Sequence, residues 1–172
     1  MLGASGAVPA PHTPEGEHGT MLRVVETVVI ERPVEPVFDA AANPQTQLAW
    51  DPGTLLRVEP LTSPPLGLGA RYRGRFKGMG TVEYAFAEFN RPHRFTHLAR
   101  MPFGTIRHVF TFEVVPEGTR LTQEGVVEPN LPGRLLAPLM RRMLGTRLRI
   151  IGSELQTYLA PAPHGVSPAP LG

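Results

Sequence analysis

Apolar positions along the chain change period once. From Leu22 to Glu128 they recur at every second residue in short runs broken by Gly and Pro, and from about Pro138 to Leu159 they recur at three- and four-residue steps. The first regime predicts strands near 22–31, 55–61, 69–77, 80–89, 94–101, 104–115 and 119–128. The second predicts one long amphipathic helix whose stripe is Leu139, Met140, Met143, Leu144, Leu148, Ile151, Leu155 and Tyr158. After the first strand, Pro33–Ala42 reads as a helix that starts at Pro33, shows Val37, Phe38 and Ala41 on one face and stops at Asn43-Pro44. A second short helix or turn leads into Trp50-Asp51-Pro52. The long helix needs a large apolar partner, and the sheet before it is the one available. The expected fold is therefore α+β: a curved, seven-stranded antiparallel sheet wrapped around a C-terminal helix, with two short helices after strand 1 and an apolar pocket between the layers.

Alternation and hairpin arithmetic decide which side chains share the inner face. Strand 69–77 places Tyr72, Gly74 and Phe76 on one side and Arg71, Arg73, Arg75 and Lys77 on the other. A three-residue loop at Gly78-Met79-Gly80 adds Val82, Tyr84 and Phe86 to the inner set. Strand 104–115 turns His108, Phe110, Phe112 and Val114 inward, with Arg107, Thr111 and Glu113 outward. A two-residue loop at Glu117-Gly118 pairs Val114 with Leu121, Phe112 with Gln123 and Phe110 with Gly125. An even-numbered loop at Met101-Pro102-Phe103-Gly104 sets His97 opposite His108, beside a Phe95–Phe110 pair.

These faces define the expected ligand-binding residues: Trp50, Tyr72, Phe76, Tyr84, Phe86, His97, His108, Phe110, Phe112, Gln123, Met140, Met143, Leu144, Leu148 and Ile151. The two imidazoles are the chemical feature of the set. They are placed to hydrogen-bond a ligand's carbonyl or hydroxyl or to exchange a proton with it. The alternative is that Tyr hydroxyls, Gln123 or water satisfy them within the fold. A metal site would need three or four ligands, and His93, in the preceding turn, supplies no third one. No metal, cofactor or catalytic residue is assigned. Asp51, before Pro52, reads as a turn hydrogen-bonder. Arg147 and Glu154 fall within the angular width of the helical stripe, so one of them reaches the pocket or both snorkel to its rim.

Composition narrows the field. The 172 residues suit one domain with one core. Cys is absent, which removes disulfides, thiolate zinc sites and Cys nucleophiles. There is no run of about 18 apolar residues and no secretory signal pattern, so a cytoplasmic protein without a transmembrane segment is the default expectation. Net charge is +2, with Arg and acidic residues interspersed, which speaks against a nucleic-acid partner. The basic concentration at Arg134, Arg141, Arg142, Arg147 and Arg149 reads as a solvated outer face, with a membrane surface or acidic partner as the alternative. Glycine pairs at Gly67-Leu68-Gly69 and Gly78-Met79-Gly80 lie between strands and cradle no phosphate. Residues 1–20 and 161–172 are poor in large apolar side chains and read as disordered tails, with 21–160 as the domain; His12, His18 and His164 fall in the tails. Met21 is a possible native start.

Several local sequences resemble a known family. Arg32-Pro33-Val34-Glu35-Pro36-Val37-Phe38-Asp39, Trp50-Asp51-Pro52, Gly67-Leu68-Gly69-Ala70-Arg71-Tyr72, Arg91-Pro92-His93-Arg94 and Gly118-Thr119-Arg120-Leu121-Thr122 are similar, in this order, to the polyketide cyclase/dehydrase and lipid-transport branch of the START-like, helix-grip superfamily (SRPBCC-type). The resemblance spans about 22–159. It implies a helix-grip domain with a hydrophobic cavity under the C-terminal helix, and a function among lipid carriers, receptors and aromatase/cyclases. No catalytic residue carries over. The resulting expectation is a carrier or sensor, monomeric or weakly dimeric, for a small hydrophobic or aromatic ligand such as a lipid or polyketide; a cyclase/aromatase using pocket His and Tyr for proton transfer is the alternative.

Overall fold

The computed structural model describes residues 21–63 and 65–160. The expected tails, with His12, His18 and His164, lie outside the described residues. The element order is β1 (Leu22–Ile30), α1 (Val34–Ala42), α2 (Pro44–Trp50), β2 (Leu55–Pro60), β3 (Arg71–Phe76), β4 (Gly80–Asn90), β5 (Arg94–Met101), β6 (Gly104–Val115), β7 (Gly118–Pro129), α3 (Leu131–Leu135) and α4 (Ala137–Leu159). The strands form one antiparallel sheet in the order β1-β7-β6-β5-β4-β3-β2. This is the helix-grip fold. The short α3 is an addition to the expected elements, nucleated where Pro132 occupies the first turn and the Asn130 side chain accepts from the Gly133 N–H at 3.1 Å.

Register is as expected at the β5–β6 hairpin, where His97 faces His108 and Phe95 faces Phe110. At β6–β7 it differs by two residues. The loop is Pro116-Glu117, so Phe112 faces Leu121, Phe110 faces Gln123 and His108 faces Gly125. Gly118 turns the chain with φ 135°, and a Cβ there would collide with the Ile30 carbonyl. A shift of two preserves the face of every side chain, yet it carries Val114 beyond the core, where it is exposed. In β4, Ala87 is an extra residue between the Phe86–His97 and Glu88–Thr96 pairs. This bulge brings both Phe86 and Phe89 onto the core side although they are three apart. Phe89 meets Phe38 edge-on at 5.5 Å, and Phe38 makes further edge contacts with Phe95 and Phe112.

The long helix rests on one side of the sheet only. It packs against β1 and β7: a Cβ at Gly152 would lie 3.3 Å from the Val28 side chain, Gln123 Nε2 donates to the Leu148 carbonyl at 3.0 Å, and Gln156 Nε2 donates to the Val29 carbonyl at 2.9 Å. Gly125 of β7 accommodates Leu144, whose methyls would lie 2.8–2.9 Å from a Cβ at that position. The buried side of α4 is thus Leu148, Ile151, Gly152 and Leu155. Leu139 and Met143, expected in the inner stripe, are exposed because they lie on the side of the helix opposite Leu148, and Tyr158, in line with Ile151, is exposed at the end of the helix.

These contacts predict that Leu155→Ala costs about 2–5 kcal/mol in urea unfolding, while Leu139→Ala costs close to nothing. Equal effects would mean that α4 is rotated from the orientation described here.

Candidate functional site

Because α4 sits on β1 and β7, it stands off the strands β3 to β6. The gap is a cavity of about 150 Å³. Its floor comes from Phe76, Val82, Tyr84, His97, Ala99, Met101, Ile106, His108 and Phe110, its roof from Leu144, Arg147, Leu148 and Ile151, and its side from Ala41, Gln47 and Trp50. Met79, in the β3–β4 loop, completes the lining and is itself exposed, so it marks the mouth.

Of the residues expected from alternation, Trp50, Phe76, Tyr84, His97, His108, Phe110, Leu144, Leu148 and Ile151 line this cavity together. The others do not. Phe86 and Phe112 are consumed by the packing around Phe38 and Phe95. Tyr72 stacks on the outer side of Tyr84 at 5.9 Å, and Gln123 is spent on the Leu148 carbonyl. Met140 and Met143 precede the part of α4 that roofs the cavity, and Met143 is exposed. Alternation identified the face but not how far along each strand the cavity extends; Ala99, Met101 and Ile106 continue the inner face of β5 and β6 toward the hairpin.

The polar character of the cavity comes from few atoms. Tyr84 Oη, His97 Nε2 and His108 Nε2, and Gln123 Oε1 beside them, are buried and have no hydrogen-bond partner among the described residues. Neither Nε2 atom has a partner among the described residues, although Gln123 is close enough to His108 to favour its protonated form slightly. Aromatic rings crowd the pair: His97 lies 4.4 Å from Phe86 edge-on and 4.9 Å from Tyr84, and His108 lies 4.0 Å from Phe110. Burial pushes His97 down to about 3. It does the same for His108, also to about 3, with smaller contributions from the neighbouring His97 and Arg147 and a small opposing one from Gln123. Both imidazoles are therefore neutral near pH 7. Burial raises the Tyr84 phenol well above its ordinary value, with Tyr72 adding to the effect, so it too is uncharged.

The rim holds one ion pair that the sequence conceals. Asp51 is 1 % exposed, and its carboxylate is bound in bidentate fashion by the Arg147 guanidinium. Arg147 Nη1 also donates to Thr54 Oγ1 at 2.9 Å, and Gln47 Nε2 donates to Asp51 Oδ2 at 3.1 Å. Asp51 caps α2, where its carbonyl accepts the Leu55 N–H at 2.9 Å, as its turn position implies. Its carboxylate, however, reaches across 96 positions in sequence to the helix roof. Arg147 is the side chain of the stripe that reaches the cavity, and Glu154 is exposed. Among the described residues no group of three or more His, Cys, Asp or Glu is arranged to hold a metal ion.

The sequence profile described as polyketide cyclase / dehydrase and lipid transport matches residues 21–159. The chain belongs to this family. Among solved structures, the di-domain ARO/CYC BexL from the BE-7585A biosynthetic pathway is similar at 19 % identity and TM-score 0.69, covering 83 % of this chain and 51 % of that one. A START superfamily protein from Mycobacterium smegmatis is similar at 16 % identity and TM-score 0.67, covering 80 % and 96 %. Protein MLL2253 from Mesorhizobium loti follows at 15 % identity and TM-score 0.63, covering 80 % and 96 %. No curated protein matches the chain. At these identities the likeness is one of fold, and this family member's own chemistry rests on the cavity just described. No helix among the described residues is long and apolar enough to cross a membrane.

Two outcomes follow from the buried groups. The folded histidines bind protons far less readily than unfolded ones near 6.5, so between about pH 6.5 and 3 the unfolded chain takes up more protons and stability falls with falling pH. From pH 7 to pH 5 each histidine should cost roughly 2 kcal/mol, and the His97→Asn/His108→Gln double variant should lose correspondingly less by urea unfolding; parallel losses would refute the burial. Removing the Arg147 charge with Arg147→Met should cost about 3–5 kcal/mol by leaving Asp51 buried and unpaired, and adding Asp51→Asn should recover part of it. No recovery in the double variant would show that Arg147 acts through packing alone.

Proposed function

We propose that the protein is a carrier or sensor that encloses a small hydrophobic or aromatic ligand between β3–β6 and α4. The observation that carries this reading is a mostly apolar cavity lined by Tyr84, His97 and His108, each of which has a buried polar atom without a partner among the described residues. Leaving such atoms without a partner is costly, and a ligand with a hydroxyl or carbonyl group would satisfy them while its apolar body meets Val82, Ile106, Leu148 and Ile151.

Volume sets the scale of the ligand. Typical ligand pockets run from about 300 to 1,000 Å³, whereas a dry apolar cavity of roughly 150 Å³ holds about one benzene ring. At about 150 Å³, this cavity suits a compact, uncharged aromatic molecule of about one ring. A full acyl chain or a folded polyketide would need α4 or the Met79 loop to move. Neutral groups on the floor, and an Arg147 already neutralised by Asp51, favour a neutral ligand over a carboxylate.

The cyclase/aromatase alternative draws support from the likeness to BexL. The histidines weigh against it. A general base works best with a pKa near the operating pH, and imidazoles held near 3 are weak bases whose conjugate acids are scarcely populated.

An uncharged, environment-sensitive fluorophore of one or two rings should bind the purified full chain. Ala99→Leu, which adds bulk to the cavity floor, should abolish that binding without unfolding the protein, and His97→Asn should weaken it by about 0.5–1.5 kcal/mol. Undiminished binding in a folded Ala99→Leu protein would place the ligand elsewhere. Turnover of a poly-β-keto substrate that falls about 10²–10⁴-fold in His97→Asn would replace the carrier reading with the enzymatic one.

A further inference from the structure

We propose that α3 and the outward side of the first two turns-and-more of α4 form a docking surface for anionic phospholipid membranes. The inference is independent of which ligand the cavity holds. It begins with side chains that folding leaves uncovered: Leu131, Leu135, Leu136, Leu139 and Met143 are all more than half exposed, with Leu135 at 86 %. Leu139, Met143 and Ile150 are spaced four and seven apart, which places them on one side of α4, away from the buried Leu148, Ile151 and Leu155. A run of exposed large apolar side chains on adjacent helices marks an interaction surface.

Charge identifies the partner. Between Glu128 and Glu154 the sequence contains no acidic residue and five arginines. Arg147 is committed to Asp51, while Arg134, Arg141, Arg142 and Arg149 have no carboxylate partner among the described residues. Elsewhere on the surface the arginines are largely paired, as in Arg73 with Glu59 and Glu83, Arg91 with Asp39 and Arg120 with Glu113. Arg141, Arg142 and Arg149 line a groove of about 360 Å³ between α4 and β1, floored by Gly145, whose fourth arginine, Arg23, is paired with Glu124. The groove is of a size and charge for a phosphate headgroup, and the exposed Leu139, Met143 and Ile150, roughly a third of a turn further round α4, are suited to the acyl boundary. A second copy of the chain fits this face poorly, because an isologous contact would set arginines against arginines with no carboxylate between them. A nucleic acid would match the arginines and leave the leucines unsatisfied.

The test is co-flotation of the full chain with vesicles of phosphatidylcholine alone and of phosphatidylcholine mixed with phosphatidylglycerol. Binding is expected only to the anionic vesicles and should weaken as salt rises. Neutralising Arg141 and Arg142 as Gln should lower partitioning about fivefold per residue. Leu139→Glu/Met143→Glu should abolish it, with an unchanged melting temperature because both positions are exposed. No binding of the wild type to anionic vesicles at low salt would overturn the proposal. So would a wild-type dimer in light scattering that Met143→Glu converts to a monomer, since the face would then be covered by a second copy.

Discussion

The structure depends on one asymmetry in packing: a single long helix lies on a seven-stranded sheet and packs most closely against it at β1 and β7. Glycine makes this possible. Gly125 admits Leu144 and Gly152 admits Val28, so α4 comes close on that side, where Gln123 and Gln156 fix it by hydrogen bonds to Leu148 and Val29. The sheet curves away beneath the rest of the helix, and the bulge at Ala87 turns Phe86 and Phe89 into the aromatic core around Phe38. Close approach on one side and a solid aromatic cluster below leave the cavity as the space between.

Charge then divides the helix by function. Arg147 is drawn inward and neutralised by Asp51, tying the roof of the cavity to the end of α2. That pair costs desolvation, which its bidentate geometry and the further bonds from Gln47 and to Thr54 offset. The cavity interior beyond it contains only neutral polar groups, since burial keeps His97 and His108 unprotonated. This neutrality is what the proposed reading, binding of a compact neutral ligand, rests on.

Most of the fold was legible because it follows from local rules. Period-two alternation and Gly- or Pro-bearing turns mark all the strands of the sheet, and the Pro102-Phe103 hairpin fixes the His97–His108 pairing. The order of five short sequence patterns pointed to the family to which the chain belongs. Features set by longer-range contacts were less legible. The β6–β7 loop is one turn residue earlier than Glu117-Gly118 because Gly118 is required where the chain crowds Ile30, a distant partner. The apolar residues of α4 form two sides, since Leu139 is nine residues and so about 180° from Leu148, and the contact with β1 and β7 decides which side is buried. The Asp51–Arg147 pair joins residues too far apart in the chain for spacing to reveal it. Likewise, alternation places Phe86, Phe112 and Gln123 on the inner face, but whether an inward side chain lines a void or fills the core depends on what packs above it.

The central claim is that the space under α4 is a binding site for a compact neutral aromatic molecule. Backbone amide NMR of the full chain during titration with a simple single-ring phenol tests it most directly. The account predicts saturable shifts centred on Tyr84, His97, Ala99, Ile106, His108 and Leu148, and weaker effects from the corresponding benzoate anion. Shifts that are absent from these residues, or that appear there only with long-chain fatty acids, would contradict it.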